Sequence, residues 1–161
     1  MFTATNVIPE GVTVISNEAF YLCKNLKKVT LPSTLDIIGS WAFANCEKLE
    51  KVAIPNGIMI IEQRAFSDCA KLSTLTLGEG LEQIQENAFM NCASLKSVRF
   101  PRGLKLLAAA SFDGCTKLAN VSYGGSTNEW SHIGKEGAEW NSEWYRGIPA
   151  TKVSCSDGEV S

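Results

Sequence analysis

The sequence predicts a repeat β-solenoid of 23-residue coils. Each coil carries two short strands and one short helical turn, and an aromatic cap closes the C-terminal end. Three observations predict it. Phe20, Phe43, Phe66, Phe89 and Phe112 recur every 23 residues. Cys23, Cys46, Cys69, Cys92 and Cys115 keep the same step, as do Leu26, Leu49, Leu72, Leu95 and Leu118. After Val121 the period stops, and three of the four tryptophans fall between Trp130 and Trp144.

One coil justifies the elements in order. Leu26 to Leu31 fits L-x-x-L-x-L, and its last four residues alternate as a short strand does. Pro32 stops the pairing because it has no N–H to donate. Leu35-Asp36-Ile37-Ile38-Gly39 is a second short extended piece. Ser40 to Cys46 reads as a turn of helix or 3₁₀ that brings Phe43 and Cys46 inward at i, i+3 spacing. A single coil cannot bury its apolar stripe alone, so stacking supplies the core and identical positions form ladders. The chain divides into 1–7, a partial or capping coil; 8–122, five repeats; and 123–161, the cap with a terminal strand. Thr3 and Asn6 stand where apolar residues are expected in the first of these. In the cap, Trp130 and Ile133 have helical spacing with Thr127 as the expected N-cap, and Ile148 to Cys155 reads as the last strand.

Composition narrows the function classes. Of 161 residues 45% are hydrophobic and 20% charged, which argues against disorder. The net charge of −2 leaves no general basic field, so nucleic acid is not an expected partner. The longest apolar runs are far short of the roughly 20 residues of a spanning helix. Met1 to Val7 lacks the basic and apolar regions of a signal peptide. A cytosolic protein, or a piece of a longer secreted one, would each explain this. The expectation is a piece of a longer secreted protein, or a mature chain from which the signal peptide has been removed.

Five of the six cysteines occupy one ladder position, where side chains point in parallel rather than toward each other, and Cys155 lies outside it. They read as free buried thiols that fill space. No C-x-x-C spacing occurs and histidine is scarce, so no metal or cofactor is expected. Free thiols suit a reducing compartment or an anaerobic habitat. His132 reads as an exposed residue of the cap. No G-x-S-x-G, P-loop or H-E-x-x-H is present, so no catalytic residues and no enzyme activity are expected.

Two outward columns are candidate interfaces. Lys28, Lys51, Thr74, Ser97 and Asn120, beside Thr30, Ala53, Thr76, Arg99 and Ser122, make a polar strand face. It is either a solvated β face or a protein-binding face with Lys28, Lys51 and Arg99 as a mild positive stripe. Val14, Ile37, Ile60 and Leu106, with Gln83 between, form an apolar column beside Met59 and Trp41. Either a bulge half-buries it, or it is an intermolecular contact, a homodimer or an adjoining domain. Trp140 and Trp144 raise a third option, an aromatic platform for a glycan.

The columns resemble the BspA-like leucine-rich repeats. The matching pattern is Ala-Phe-x-x-Cys-x-x-Leu-x-x-Val-x-Leu-Pro, as in Ala42-Phe43 through Leu49, Val52, Ile54 and Pro55. Gly78 for Pro, Ser111 for Ala and the Ala108-Ala109-Ala110 run depart from it. The tail, in Tyr123 to Thr127, Trp130 to Ile133 and Cys155 to Gly158, resembles a terminal module of such proteins in gut Firmicutes. The resemblance implies a solenoid of the leucine-rich-repeat type. It also implies a secreted or surface-attached, non-enzymatic adhesion module that engages host extracellular matrix or microbial surface proteins. A structural spacer in a larger surface protein is the alternative.

Overall fold

A computed structural model describes residues 4–134, 148 and 152–161. It forms a solenoid of three sides. The first side carries β1 (Thr5–Val7), β3 (Lys28–Thr30), β5 (Lys51–Ala53), β7 (Thr74–Thr76), β9 (Ser97–Phe100) and β11 (Asn120–Tyr123). The second carries the two-residue strands β2 (Val14–Ile15), β4 (Ile37–Ile38), β6 (Ile60–Ile61), β8 (Gln83–Ile84) and β10 (Leu106–Leu107). Both sides pair in parallel, as stacked coils require. Alternation sets the facing: Val29, Val52, Leu75, Val98 and Val121 point into the core, while the residues flanking them point out.

The second side is one continuous five-stranded sheet, but the first is not. β1-β3-β5-β7 form one sheet, and β9-β11 join another, so a seam separates β7 from β9.

The third side is the expected tight turn, realised without helix. The N–H groups of Ala42, Ala44 and Cys46 close turns on the carbonyls of Gly39, Trp41 and Phe43. Those of Trp41, Phe43 and Asn45 instead cross to Gln63, Ala65 and Ser67 of the next coil, at 3.1, 2.8 and 2.9 Å. A helix keeps its N–H groups within the segment, whereas here every second one ties two coils together. This geometry holds residues in the left-handed region at two positions per coil. One column is Leu22, Asn45, Asp68, Asn91 and Gly114, and the other is Glu18, Trp41, Arg64, Asn87 and Ala110.

The turns stack the phenylalanines face to face. Ring centroids lie 4.8, 5.1, 5.4 and 5.1 Å apart from Phe20 to Phe112. The widest step, Phe66 to Phe89, falls at the level of the seam. Phe20 and Cys23, at the end of the stack, are only partly buried. Gly78 breaks the proline column for a steric reason: a Cβ there would overlap the Pro55 carbonyl oxygen of the previous coil.

At the C-terminal end the ring stack turns. Phe100 meets Phe112 edge-on at 5.6 Å and stacks on Trp130 at 5.7 Å, while Tyr123 lies 5.3 Å from Trp130. Trp130 and Ile133 are buried, as their spacing predicts. Trp130 lies on α1 (Thr127–Ser131), whose N-cap is Ser126 and not Thr127. Ser126 has the extended backbone a cap needs, and it forms a capping box with Glu129. Thr127 is used differently: its N–H donates to Asp157, at 2.7 Å. The strand expected from Ile148 is realised as β12 (Val153–Cys155). It pairs in parallel with β11 and turns through Asp157 into an antiparallel partner, β13 (Gly158–Val160).

Candidate functional site

The strand face is open. Lys28, Thr30, Lys51, Thr74, Thr76 and Arg99 are all exposed on it. Register aligns Lys28 with Lys51, Lys51 with Thr74 and Ala53 with Thr76. Arg99 aligns with Ser122. The expected positive stripe is shorter than three residues, because Glu79 lies 2.6 Å from the Arg99 guanidinium and balances it.

A groove of about 600 Å³ runs along this face from the seam to the β12–β13 hairpin. Thr76, Ser97, Asn120, Ser122 and Ser154 supply hydroxyl and amide groups to its lining. Arg99–Glu79 and Lys152–Glu159, the latter at 3.2 Å, add two ion pairs that leave it without net charge. The C-terminal hairpin thus supplies residues to the face, and sequence reasoning missed it. The Asp157-Gly158 dipeptide was the available signal for its turn.

The apolar column is half realised. Val14, Ile37 and Met59 are exposed, at 48, 47 and 53%. Ile60, Gln83 and Leu106 are half-buried. Trp41 is half-buried as well, with Tyr21 edge-on at 6.0 Å and the Arg64 guanidinium 4.8 Å over its ring. Tyr21 and Leu22, also exposed, extend the apolar surface around the first coils.

The cysteines are free thiols. Cys46, Cys69, Cys92 and Cys115 are buried, and each donates to the carbonyl of the phenylalanine one coil back. The ladder is therefore a hydrogen-bonding element as well as a filler. Burial pushes the Cys46 thiol up to about 12, the neighbouring Cys23 adding to it, and raises Cys69 and Cys92 in the same direction. Such thiols are poor nucleophiles and poor metal ligands. Among the described residues no cluster of His, Cys, Asp and Glu has the makings of a metal site. His132 is exposed, and its Nδ1 lies 2.7 Å from the Asn128 carbonyl oxygen. Trp140 and Trp144, the glycan platform offered as a third option, lie outside the described residues. Among the described residues no helix is long and apolar enough to cross a membrane.

Comparison with known proteins gives these surfaces a context. Residues 3–129 match, in six copies, the family model described as the BspA type leucine-rich repeat region. The chain is similar to a leucine-rich cell surface protein from Faecalibacterium prausnitzii A2-165, at 30% identity and a TM-score of 0.80. That match covers 84% of this chain and 36% of that one, so the chain spans about a third of its relative's length. A T. pallidum leucine-rich repeat protein matches at 29% identity and a TM-score of 0.58, covering 73% of this chain and 68% of that one. A leucine-rich repeat protein from Eubacterium ventriosum shares the fold, at 21% identity and a TM-score of 0.60, over 91% of this chain and 47% of that one. No curated protein matches the chain.

Proposed function

The chain belongs to the BspA-type leucine-rich repeat family, and on that premise we propose that it is a non-enzymatic protein-binding module working at or outside the bacterial cell surface. Its partner docks on the strand face and is a host extracellular matrix protein or a surface protein of another microbe. One observation carries the reading. The outward strand rows leave open a groove of about 600 Å³ lined by short hydroxyl and amide side chains. In a repeat protein the ladders hold the stack, and the outward columns are free to carry recognition. The cell-surface description of the F. prausnitzii relative supports the location.

The test is a binding screen of the purified chain against matrix proteins and a glycan array. Saturable binding to a matrix protein, weakened by substitutions on the strand face, is the expected result. A blank on both from a folded chain would favour a spacer that presents recognition elements elsewhere in a longer protein. Glycan binding that survives strand-face substitution would shift recognition to the tryptophan-rich tail.

The apolar column supports a second reading, self-association. Exposed Val14, Ile37 and Met59 lie together near the first coils and have no polar role. Light scattering across a concentration series tests it. A dimer that Ile37→Ser and Met59→Ser dissociate is expected, and a monomer at every concentration would refute it.

A further inference from the structure

We propose that the strand face is built for an acidic protein segment. The segment's carboxylates sit against Lys28 and Lys51, and its neighbouring neutral residues fill the groove. This rests on the strand-face reading above and adds the partner's chemistry to it.

Lys28 and Lys51 are direct register partners on adjacent parallel strands. Their side chains leave the same face with backbones about 4.8 Å apart. Like charges so placed repel. The cations of the groove on this face are balanced: Arg99 lies 2.6 Å from Glu79 and Lys152 3.2 Å from Glu159. Among the described residues neither Lys28 nor Lys51 is in an ion pair. Their neighbours on the face, Thr30, Ala53 and Thr74, are uncharged. Two unopposed charges on an otherwise neutral surface are a site for an anionic group.

The rest of the face selects the kind of anion. A continuous polyanion, such as a sulfated glycan, would run from the lysines onto the carboxylates of Glu79 and Glu159 in the groove. No aromatic ring lines the groove among the described residues, which therefore offer no platform for sugar stacking. Backbone amides and neutral polar side chains suit its hydroxyls and amides. Two strand steps separate Lys51 on β5 from Arg99 on β9. This is about 10 Å, or roughly three residues of an extended chain. An acidic residue followed about three positions later by neutral polar ones therefore matches the face.

The experiment selects a displayed library of random dodecapeptides on the full chain and measures synthetic versions by fluorescence anisotropy. A heparin-derived oligosaccharide is measured beside them. Two variants are compared with the parent after their melting curves are shown to match: Lys28→Gln with Lys51→Gln, and Ser97→Trp, which fills the groove. Expected are peptides with Asp or Glu about three residues before a neutral polar stretch. Their binding falls about tenfold in the lysine variant and weakens as salt rises. If binding survives the lysine changes but is lost with Ser97→Trp, the acidic inference falls and the strand-face reading stands. If neither change matters, both fall. Heparin binding through the lysines with no peptide selected overturns the proposal in favour of a sulfated glycan, and a selection that yields no peptide and no heparin binding also overturns it.

Discussion

The thiol of Cys69 donates to the carbonyl oxygen of Phe43, one coil back, at 3.2 Å. The same carbonyl accepts the N–H of Cys46 at 3.2 Å. One acceptor therefore closes a turn within its own coil and ties in the next coil. Cysteine suits this position because it is small enough for the ladder and still carries a donor, though a weak one. Cys115 repeats the relationship with Phe89, which also accepts the N–H of Cys92, and the Cys92 thiol donates to Phe66.

Thiol reactivity reads this ladder directly. In the native protein, a thiol reagent at neutral pH is expected to modify Cys23 and Cys155, which are only partly buried, before the other four. Cys46, Cys69, Cys92 and Cys115 react on adding denaturant. Mass spectrometry of the labelled peptides checks the order. The same burial sets an alkaline limit. An unfolded thiol ionises near 9 while folded Cys46 holds its proton to about 12, so stability falls as pH rises above 9.

Phe66→Ala is expected to cost about 3–5 kcal/mol in chemical denaturation. Phe66 is fully buried and stacked on both sides, by Phe43 and Phe89. A loss under about 1 kcal/mol would contradict a load shared along the ring stack.

Leu22 is a misfit that substitution should correct. It holds φ at 59° where the equivalent residues are Asn45, Asp68, Asn91 and Gly114. A left-handed backbone costs an ordinary residue about 1–2 kcal/mol, and asparagine tolerates it better. Leu22→Asn should raise stability by about 1 kcal/mol, measured as a shift of the urea midpoint.

Gly78 is the opposite case. Restoring proline to match Pro9, Pro32, Pro55 and Pro101 looks favourable from the repeat pattern. The Pro55 carbonyl oxygen occupies the space a Cβ needs, so Gly78→Pro is expected to destabilise by about 1–3 kcal/mol. Calorimetry of the single variant decides it.

Glu129 gives the cap an acid dependence. The Ser126 N–H, and then the Arg102 guanidinium, hold its carboxyl below its ordinary value of 4.5. A depressed carboxyl stabilises the fold fully above the unfolded value and loses that contribution as pH falls through the folded one. Glu129→Gln should lower stability at pH 7 and flatten the acid limb of the stability curve below about pH 4.5, where variant and parent converge.

The sequence made the architecture legible because the same side chain stands at the same coil position five times over. Phe43 or Cys46 alone would have been ambiguous. Together with their equivalents they fix both the period and the facing. The open strand face followed from alternation around Val52 and Val98. Other features were written less plainly. The left-handed column was visible in Asn45, Asp68, Asn91 and Gly114, but Leu22 and the helix-like spacing of Phe43 and Cys46 pointed elsewhere. Thr127 read as the N-cap in place of Ser126, whose capping role appears only once Glu129 folds back onto it. The balance of Arg99 by Glu79 joins residues twenty positions apart on neighbouring coils, and no period announces it.

The seam between β7 and β9 gives the molecule uneven stiffness. Behind it, the two-residue strands form an unbroken sheet, and the turn-side hydrogen bonds continue from Phe66 to Ala88 and from Asp68 to Met90. At this level the coils are joined by backbone hydrogen bonds along two sides, and along the third the Arg99–Glu79 ion pair crosses the seam. The solenoid therefore has a spine on two sides and, on the third, a margin without strand pairing that lines the groove. A partner seated there would meet an interrupted sheet rather than one continuous plate.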